Sequence, residues 1–230
     1  MFHRWDQLTF LHWRYDPAEV QRLLPDWLEV ETFDGAAWVG LVPFVMEVSA
    51  PGIAPLPWLC HFPETNVRTY VRAPDGSVGV WFLSLDAARF AAVATARTTY
   101  QLPYFWADMD VVQVGDVISY RSRRRWPGPR GASSEVAVQI GERFGAHELG
   151  DLDHWLTARW KVFSPGQGRF ADAEHPPWEL RRATVLELDD DLVPAAGLGR
   201  PEGPPLVHWS PGTPVRISVP RRLHGSPTAA

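Results

Sequence analysis

Phe62-Pro63-Glu64-Thr65-Asn66-Val67-Arg68-Thr69-Tyr70-Val71 is the stretch on which the reading of this chain turns. Side chains alternate across a strand, so Glu64, Asn66, Arg68 and Tyr70 share one face. Thr65, Val67, Thr69 and Val71 share the other, which reads as the packing face. Two readings of the polar row stand. It is either the solvated outer side of an antiparallel sheet, or the lining of a concave sheet where four polar groups converge on a small ligand. In the second case Glu64 needs a partner, because an unpaired buried charge is costly. Arg68, two residues further along the same face, is placed to supply one.

Turns on either side of this stretch predict more strands. Asp34-Gly35 reads as a hairpin turn between Leu28–Phe33 and the apolar run Ala36–Met46. Pro74-Asp75-Gly76-Ser77 joins Asn66–Arg72 to Val78–Leu85. Val117–Arg125 and Glu135–Ile140 form another pair, and Trp160–Ser164 and Arg169–His175 flank a turn at Pro165-Gly166-Gln167-Gly168. Thr184–Leu188 and Val215–Val219 are late strands. Helices are few. Asp16-Pro17-Ala18-Glu19 combines an N-cap carboxylate, a proline at the first helical position and a capping-box glutamate, and Pro25 ends that helix. A second helix is predicted from Asp86 to about Tyr100, a third over Asp151 to Leu156, and a short turn over Asp189 to Ala196.

So many consecutive hairpins make an antiparallel sheet that must curl or close. The expected fold is α+β but mainly β: a curved antiparallel sheet closing into a cone- or barrel-like bowl, with two or three helices. One domain spans 1–220, and 221–230 reads as a flexible tail. The Pro-rich segment from Ser49 to Pro57 reads as a surface excursion.

Composition narrows the class without naming a function. Of the 230 residues, 45% are hydrophobic and 21% charged, which excludes disorder and coiled coil. A net charge of −5 gives no reason to expect nucleic acid or an acidic membrane as partner. Cys60 is the only cysteine, so neither an internal disulfide nor a thiolate cluster is available. No histidine pair has zinc spacing, so no metal and no cofactor is expected. Met1 to Gln7 lacks the apolar core of a signal peptide, and the longest apolar run, Ala36 to Met46, is too short to span a bilayer. A cytoplasmic protein with a small-molecule partner, and with a homo-oligomer as an option, is the expectation. Lys161 is the only lysine, so any lysine Schiff base would have to form there.

Phe33-Asp34-Gly35 and Glu64 to Val71, together with Leu8-Thr9-Phe10-Leu11-His12-Trp13, Tyr15-Asp16-Pro17, Val80-Trp81-Phe82-Leu83-Ser84-Leu85 and Leu102-Pro103-Tyr104, carry a resemblance. The chain resembles the YqjF-like family of uncharacterised bacterial proteins, within the acetoacetate decarboxylase-like superfamily. Weaker similarity continues through Thr157-Ala158-Arg159-Trp160 and His175-Pro176-Pro177-Trp178 to Pro214-Val215, so it covers nearly the whole chain. The resemblance implies a cone-like sheet around a small pocket, usually in an oligomer. Phe62-Pro63-Glu64 matches the aromatic-x-glutamate of the decarboxylase, which implies an acid/base or ligand-orienting role for Glu64. The decarboxylase's Gly-Arg-Glu and Pro-Lys-Lys elements correspond to Ala96-Arg97-Thr98 and Pro103-Tyr104-Phe105. Tyr104 and Phe105 thus stand where the lysines would be, and the Schiff-base route is not expected.

The expected function is a small-molecule-binding protein, or an enzyme without a Schiff base, acting on a carbonyl or carboxylate compound. Glu64 would transfer a proton in an enclosed pocket and Tyr104 would donate a hydrogen bond. Asn66, Arg68, Tyr70 and Arg97 would bind the polar atoms, with Trp81 and Trp106 packing on the ligand. The alternative is a non-catalytic binding or structural protein using the same pocket for recognition only. His12 reads as a satisfied semi-buried histidine and His175 as a loop residue. Arg121, Arg123 and Arg125 read as one solvated or interface face. Serine nucleophile and nucleotide-binding motifs are absent.

Overall fold

The computed structural model describes residues 1–49, 60–145, 147–165 and 168–223. The first half of the chain holds β1 (Phe2–Tyr15), α1 (Pro17–Gln21), β2 (Glu29–Val30), β3 (Ala37–Ser49), β4 (His61–Arg72), β5 (Val78–Ala87), α2 (Phe90–Thr99) and β6 (Tyr104–Val114). The second half holds β7 (Val117–Trp126), β8 (Ser133–Arg143), α3 (Asp151–Thr157), β9 (Lys161–Ser164), β10 (Arg169–Glu174), β11 (Arg181–Asp190), α4 (Leu192–Ala195), β12 (Leu206–Ile217) and β13 (Arg221–Arg222).

The mainly-β expectation holds, and the sheet closes. Nine strands form a barrel in the order β1-β3-β4-β5-β6-β7-β8-β11-β12, sealed where β12 pairs with β1 and β4 with β5. All neighbours in this ring are antiparallel except β5 and β6, which run parallel. The same pairings close a second circuit. β9 adds to β5 in parallel, β10 to β9, and β10 reaches β12 through Ala173 and Glu174. The sheet therefore forks, and β12, β1, β3, β4 and β5 serve both circuits.

Alternation explains how one stretch serves two interiors. Leu11, Val39, Leu41, Val67, Ile118, Tyr120, Val136, Val138 and Trp209, contributed by strands all round the nine-stranded ring, form one buried apolar cluster. Phe10, Phe44, Tyr70 and Phe82, of opposite parity, pack instead with Leu156 of α3, Leu180 and Trp178. Antiparallel sheets often expose their second face. Here that face on β1, β3, β4 and β5 is roofed.

Local signals set several boundaries. The Asp16 carboxylate accepts from the Ala18 amide at 2.8 Å and Pro17 opens α1. Glu19 does not complete a capping box: its carboxylate accepts from the Gly199 amide at 2.7 Å. Asp34 and Gly35 both have positive φ, 49° and 73°, as a tight hairpin turn requires. The turn is nevertheless bounded only by the isolated Phe33–Ala36 bridge, because Glu29 and Val30 pair with β4 rather than with β3.

Three further expectations are corrected. Asp86 belongs to β5, not to a helix; it is buried in register with Thr65, and the helix starts at Phe90. Tertiary pairing overrides the helical propensity of the alanines that follow. Four helices are present among the described residues rather than two or three. The first residues of the proposed tail, Arg221 and Arg222, pair with β10, and Leu223 is buried. Residues 50–57 of the Pro-rich excursion, Gly166 and Gln167 of the predicted turn and residues 224–230 of the tail lie outside the described residues.

Candidate functional site

The polar row of β4 is buried from end to end. Glu64 is 3% exposed, Asn66 5%, Arg68 8% and Tyr70 0%. The solvated-face reading is therefore excluded, and the row lies under the roof formed by α3 and the segment around Trp178.

Glu64 stands opposite Phe44 on β3 and Ala87 on β5. The Tyr104 hydroxyl, from the first residue of β6, donates to its Oε2 at 3.1 Å. Burial among apolar side chains pushes the Glu64 carboxyl up to about 8; the Tyr104 bond opposes this, and the nearby Asp86 charge adds to it. At neutral pH Glu64 is thus mostly protonated. Burial, and then Glu64 itself, hold the Tyr104 phenol well above its ordinary range. Asp86 is ion-paired: Arg124 donates to its two oxygens at 3.0 and 2.6 Å, with both side chains out of reach of solvent. Burial raises the Asp86 pKa and Arg124 opposes that shift.

Arg68 is not the partner of Glu64. Its Nη2 donates to the Leu156 carbonyl at 3.3 Å and lies 3.5 Å from the Tyr70 hydroxyl. A β-bulge separates Val67 from Arg68 in the pairing with β5, so the two ends of the row meet different neighbours. Three arginines are buried among the described residues. Arg124 is paired with Asp86, and Arg159 with Glu31 at 2.7 Å. Arg68 forms no ion pair among the described residues, and its guanidinium lies over the rings of Phe10 and Tyr70 at 5.4 and 5.8 Å. Its Nε–H and the Asn66 Oδ1 are buried with no partner among the described residues.

The other predicted contacts do not converge there. Trp81 is on the opposite parity of β5 and packs with Leu24, Leu28, Val71 and Phe163. Arg97 donates to the Tyr104 carbonyl at 2.6 Å and stacks on Trp126, so it braces the backbone of Tyr104 from outside. Trp106 meets Phe90 edge-on and, with Phe90, Arg125, Trp126 and Arg130, lines a surface hollow of about 580 Å³. Among the described residues Glu64 is not part of that lining. Phe105 lies under the Arg124 guanidinium at 3.5 Å. Lys161, on β9, pairs with Asp172 at 3.0 Å and covers the Phe170 ring.

Sequence reading missed a histidine cluster. His12 Nε2 lies 2.8 Å from the Tyr70 hydroxyl, which in turn lies 2.7 Å from the Leu156 carbonyl. His208 Nε2 lies 3.0 Å from Asp153 Oδ1. Burial, reinforced by the Arg68 charge and then His208, holds His12 well below the ordinary imidazole range. Burial lowers His208 as well, although Asp153 opposes it. Position 12 on an alternating strand was the available signal. His208 and Asp153 lie 55 residues apart in sequence, with nothing local to link them.

Comparisons with known proteins agree with this architecture. Residues 3–214 match the DUF2071 family, whose description reads "uncharacterized conserved protein". The chain is 36% identical over 214 residues to the uncharacterized protein YqjF of Bacillus subtilis (strain 168), covering 91% of this chain and 87% of that one. Among solved structures it is similar to the enduracididine biosynthesis enzyme MppR complexed with the condensation product of pyruvate and imidazole 4-carboxaldehyde. That match has a TM-score of 0.65 at 13% identity, covering 96% of this chain and 88% of MppR. It is also similar to acetoacetate decarboxylase from Legionella pneumophila subsp. pneumophila str. Philadelphia 1, with a TM-score of 0.63 at 15% identity over 96% and 86% of the two chains. At these identities the structural likenesses establish the fold alone. No helix among the described residues is long and apolar enough to cross a membrane. With an acetoacetate decarboxylase-like barrel and a family match over nearly its whole length, the chain belongs to the DUF2071 family of YqjF-like proteins.

Proposed function

We propose that this protein binds a small carbonyl or carboxylate compound along the buried row of β4, and that Glu64 and Tyr104 handle its protons. The single observation that supports this most is Arg68. A buried cation without an anion is costly, and the other two buried arginines among the described residues each have a carboxylate. A ligand carboxylate supplies what Arg68 lacks. Glu64, two turns of the pleat away on the same face, is mostly protonated at neutral pH and suited to donate to a carbonyl oxygen or to shuttle a proton.

MppR, which is similar in fold, is described with a condensation product of pyruvate, so a keto acid fits the barrel type. The lysine route has little support here. Tyr104 and Phe105 replace the expected amines, and Lys161 is tied to Asp172. Recognition without turnover remains the alternative use of the same contacts.

The test is thermal unfolding with pyruvate, acetoacetate and butyrate added in turn, because a ligand specific for the native state raises its stability. At least one acid is expected to raise Tm in the wild type and to lose that effect in Arg68→Gln. No shift with any acid, or a shift that survives Arg68→Gln, overturns the proposal. Where turnover is detected, unchanged turnover in Glu64→Gln removes Glu64 from the chemistry.

A further inference from the structure

The hydrogen bonds around Tyr70 determine where the protons lie. A carbonyl oxygen only accepts, so at 2.7 Å from Leu156 the Tyr70 hydroxyl spends its single proton there. His12 Nε2, 2.8 Å from the same hydroxyl oxygen, must then be the donor. In a neutral imidazole with Nε2 protonated, Nδ1 is a bare acceptor. It is buried and has no partner among the described residues. The same logic holds for His208. Its Nε2 donates to Asp153, and its Nδ1 is buried with no partner among the described residues.

Register brings these atoms together with Arg68. His12 pairs with Gly40, which pairs with Arg68, so the three lie side by side across β1, β3 and β4. His208 pairs with Phe10, two residues before His12, and is its diagonal neighbour on the same face. The close packing of His12 against Gly40 involves its Cδ2 and Nε2, so Nδ1 is on the ring edge away from that glycine, and the Arg68 guanidinium lies over Phe10, the strand neighbour of both histidines. One buried patch therefore offers a cationic donor and two bare imidazole acceptors.

We propose that His12 and His208 read a hydroxyl on the ligand, so that the preferred compound is a hydroxycarboxylate, its carboxylate on Arg68 and its O–H donated to imidazole Nδ1. This rests on the carboxylate reading above and adds the second functional group. An amine is the poorer donor there, since its charge would face Arg68. A plain carboxylate leaves both nitrogens desolvated and unpaired, the situation that makes hydrogen-bonding sites selective.

The experiment is calorimetric titration with matched pairs: lactate against propionate, and 3-hydroxybutyrate against butyrate. At least one hydroxy acid is expected to bind about tenfold more tightly than its plain partner, as one neutral hydrogen bond allows. His12→Phe should erase that preference. Should the variant not fold, nitrogen-15 spectra of the wild type decide. The His12 Nδ1 resonance should move on adding the hydroxy acid and stay in place with the plain acid. Equal affinities within both pairs, or a preference that survives His12→Phe, overturn the hydroxyl contact while the carboxylate reading stands. If no acid of either kind binds, the carboxylate reading falls and this inference falls with it.

Discussion

The ring of His12 lies over the bare Cα of Gly40, so closely that a Cβ at Gly40 would sit 2.9 Å from its Cδ2 and 3.0 Å from its Nε2. The glycine's value here is clearance rather than backbone freedom. It lets one polar side chain from β1 and one from β4 meet above β3, where any side chain would keep them apart.

Gly40→Ala should therefore push His12 off Tyr70. The ring is held by that hydrogen bond and by its packing beside Phe10, so it cannot simply swing aside. Overpacking of this kind costs about 1–3 kcal/mol. Urea unfolding would measure it, and an unchanged midpoint would show that the contact is soft.

Asp86→Asn should be among the most damaging single changes. It leaves the Arg124 guanidinium buried without its anion, a loss of about 3–5 kcal/mol for pairs of this kind. Combining it with Arg124→Met should restore much of the stability, because the double change removes both charges. A double-mutant cycle by chemical denaturation checks this; additive losses would contradict it.

Glu64 should make stability depend on pH in an unusual direction. Its carboxyl is raised from 4.5 in the unfolded chain to about 8 in the folded one. Below 4.5 both states hold the proton and the group contributes no slope. Between 4.5 and 8 the folded state binds more protons than the unfolded state, so stability falls as pH rises. Above 8 the contribution levels off. Comparing unfolding free energies of wild type and Glu64→Gln across this window isolates the effect, and the variant should lack that slope.

Lys161 should not trap a keto acid. Borohydride added with pyruvate or acetoacetate is expected to leave its mass unchanged by peptide mass spectrometry, because its ammonium is paired with Asp172 and lies on β9. A reduced adduct on Lys161 would restore the amine mechanism that Tyr104 and Phe105 argue against.

Much of the fold was legible because its signals are local. Asp34-Gly35, Pro74-Asp75-Gly76-Ser77 and the Asp16-Pro17 cap act within a few residues, and each sits where its chemistry demands. Of the predicted site residues, Glu64 and Tyr104 meet, and Arg68 and Tyr70 meet further along the same strand. Trp81 failed because strand parity sends it to the other face. Trp106 and Arg97 are neighbours of Tyr104 in sequence, but one opens onto the surface hollow and the other holds only a backbone carbonyl. Parity alone could have excluded Trp81, because the hairpin register set by the Pro74–Ser77 turn puts it opposite Thr69, before the bulge between Val67 and Arg68 is reached.

The amino-acid order by itself established the alternation of β4, the mainly-β architecture and the absence of amines at positions 104 and 105. Those depend on a two-residue period and on residue identity, which need no neighbours. Only the tertiary structure decided which face of β4 is covered, that Tyr104 rather than Arg68 binds Glu64, and that His12, Tyr70 and Leu156 share one chain of hydrogen bonds. The partners in those contacts lie from 40 to 86 residues apart. Barrel closure and the roof of α3 bring them together, and no local pattern encodes that meeting.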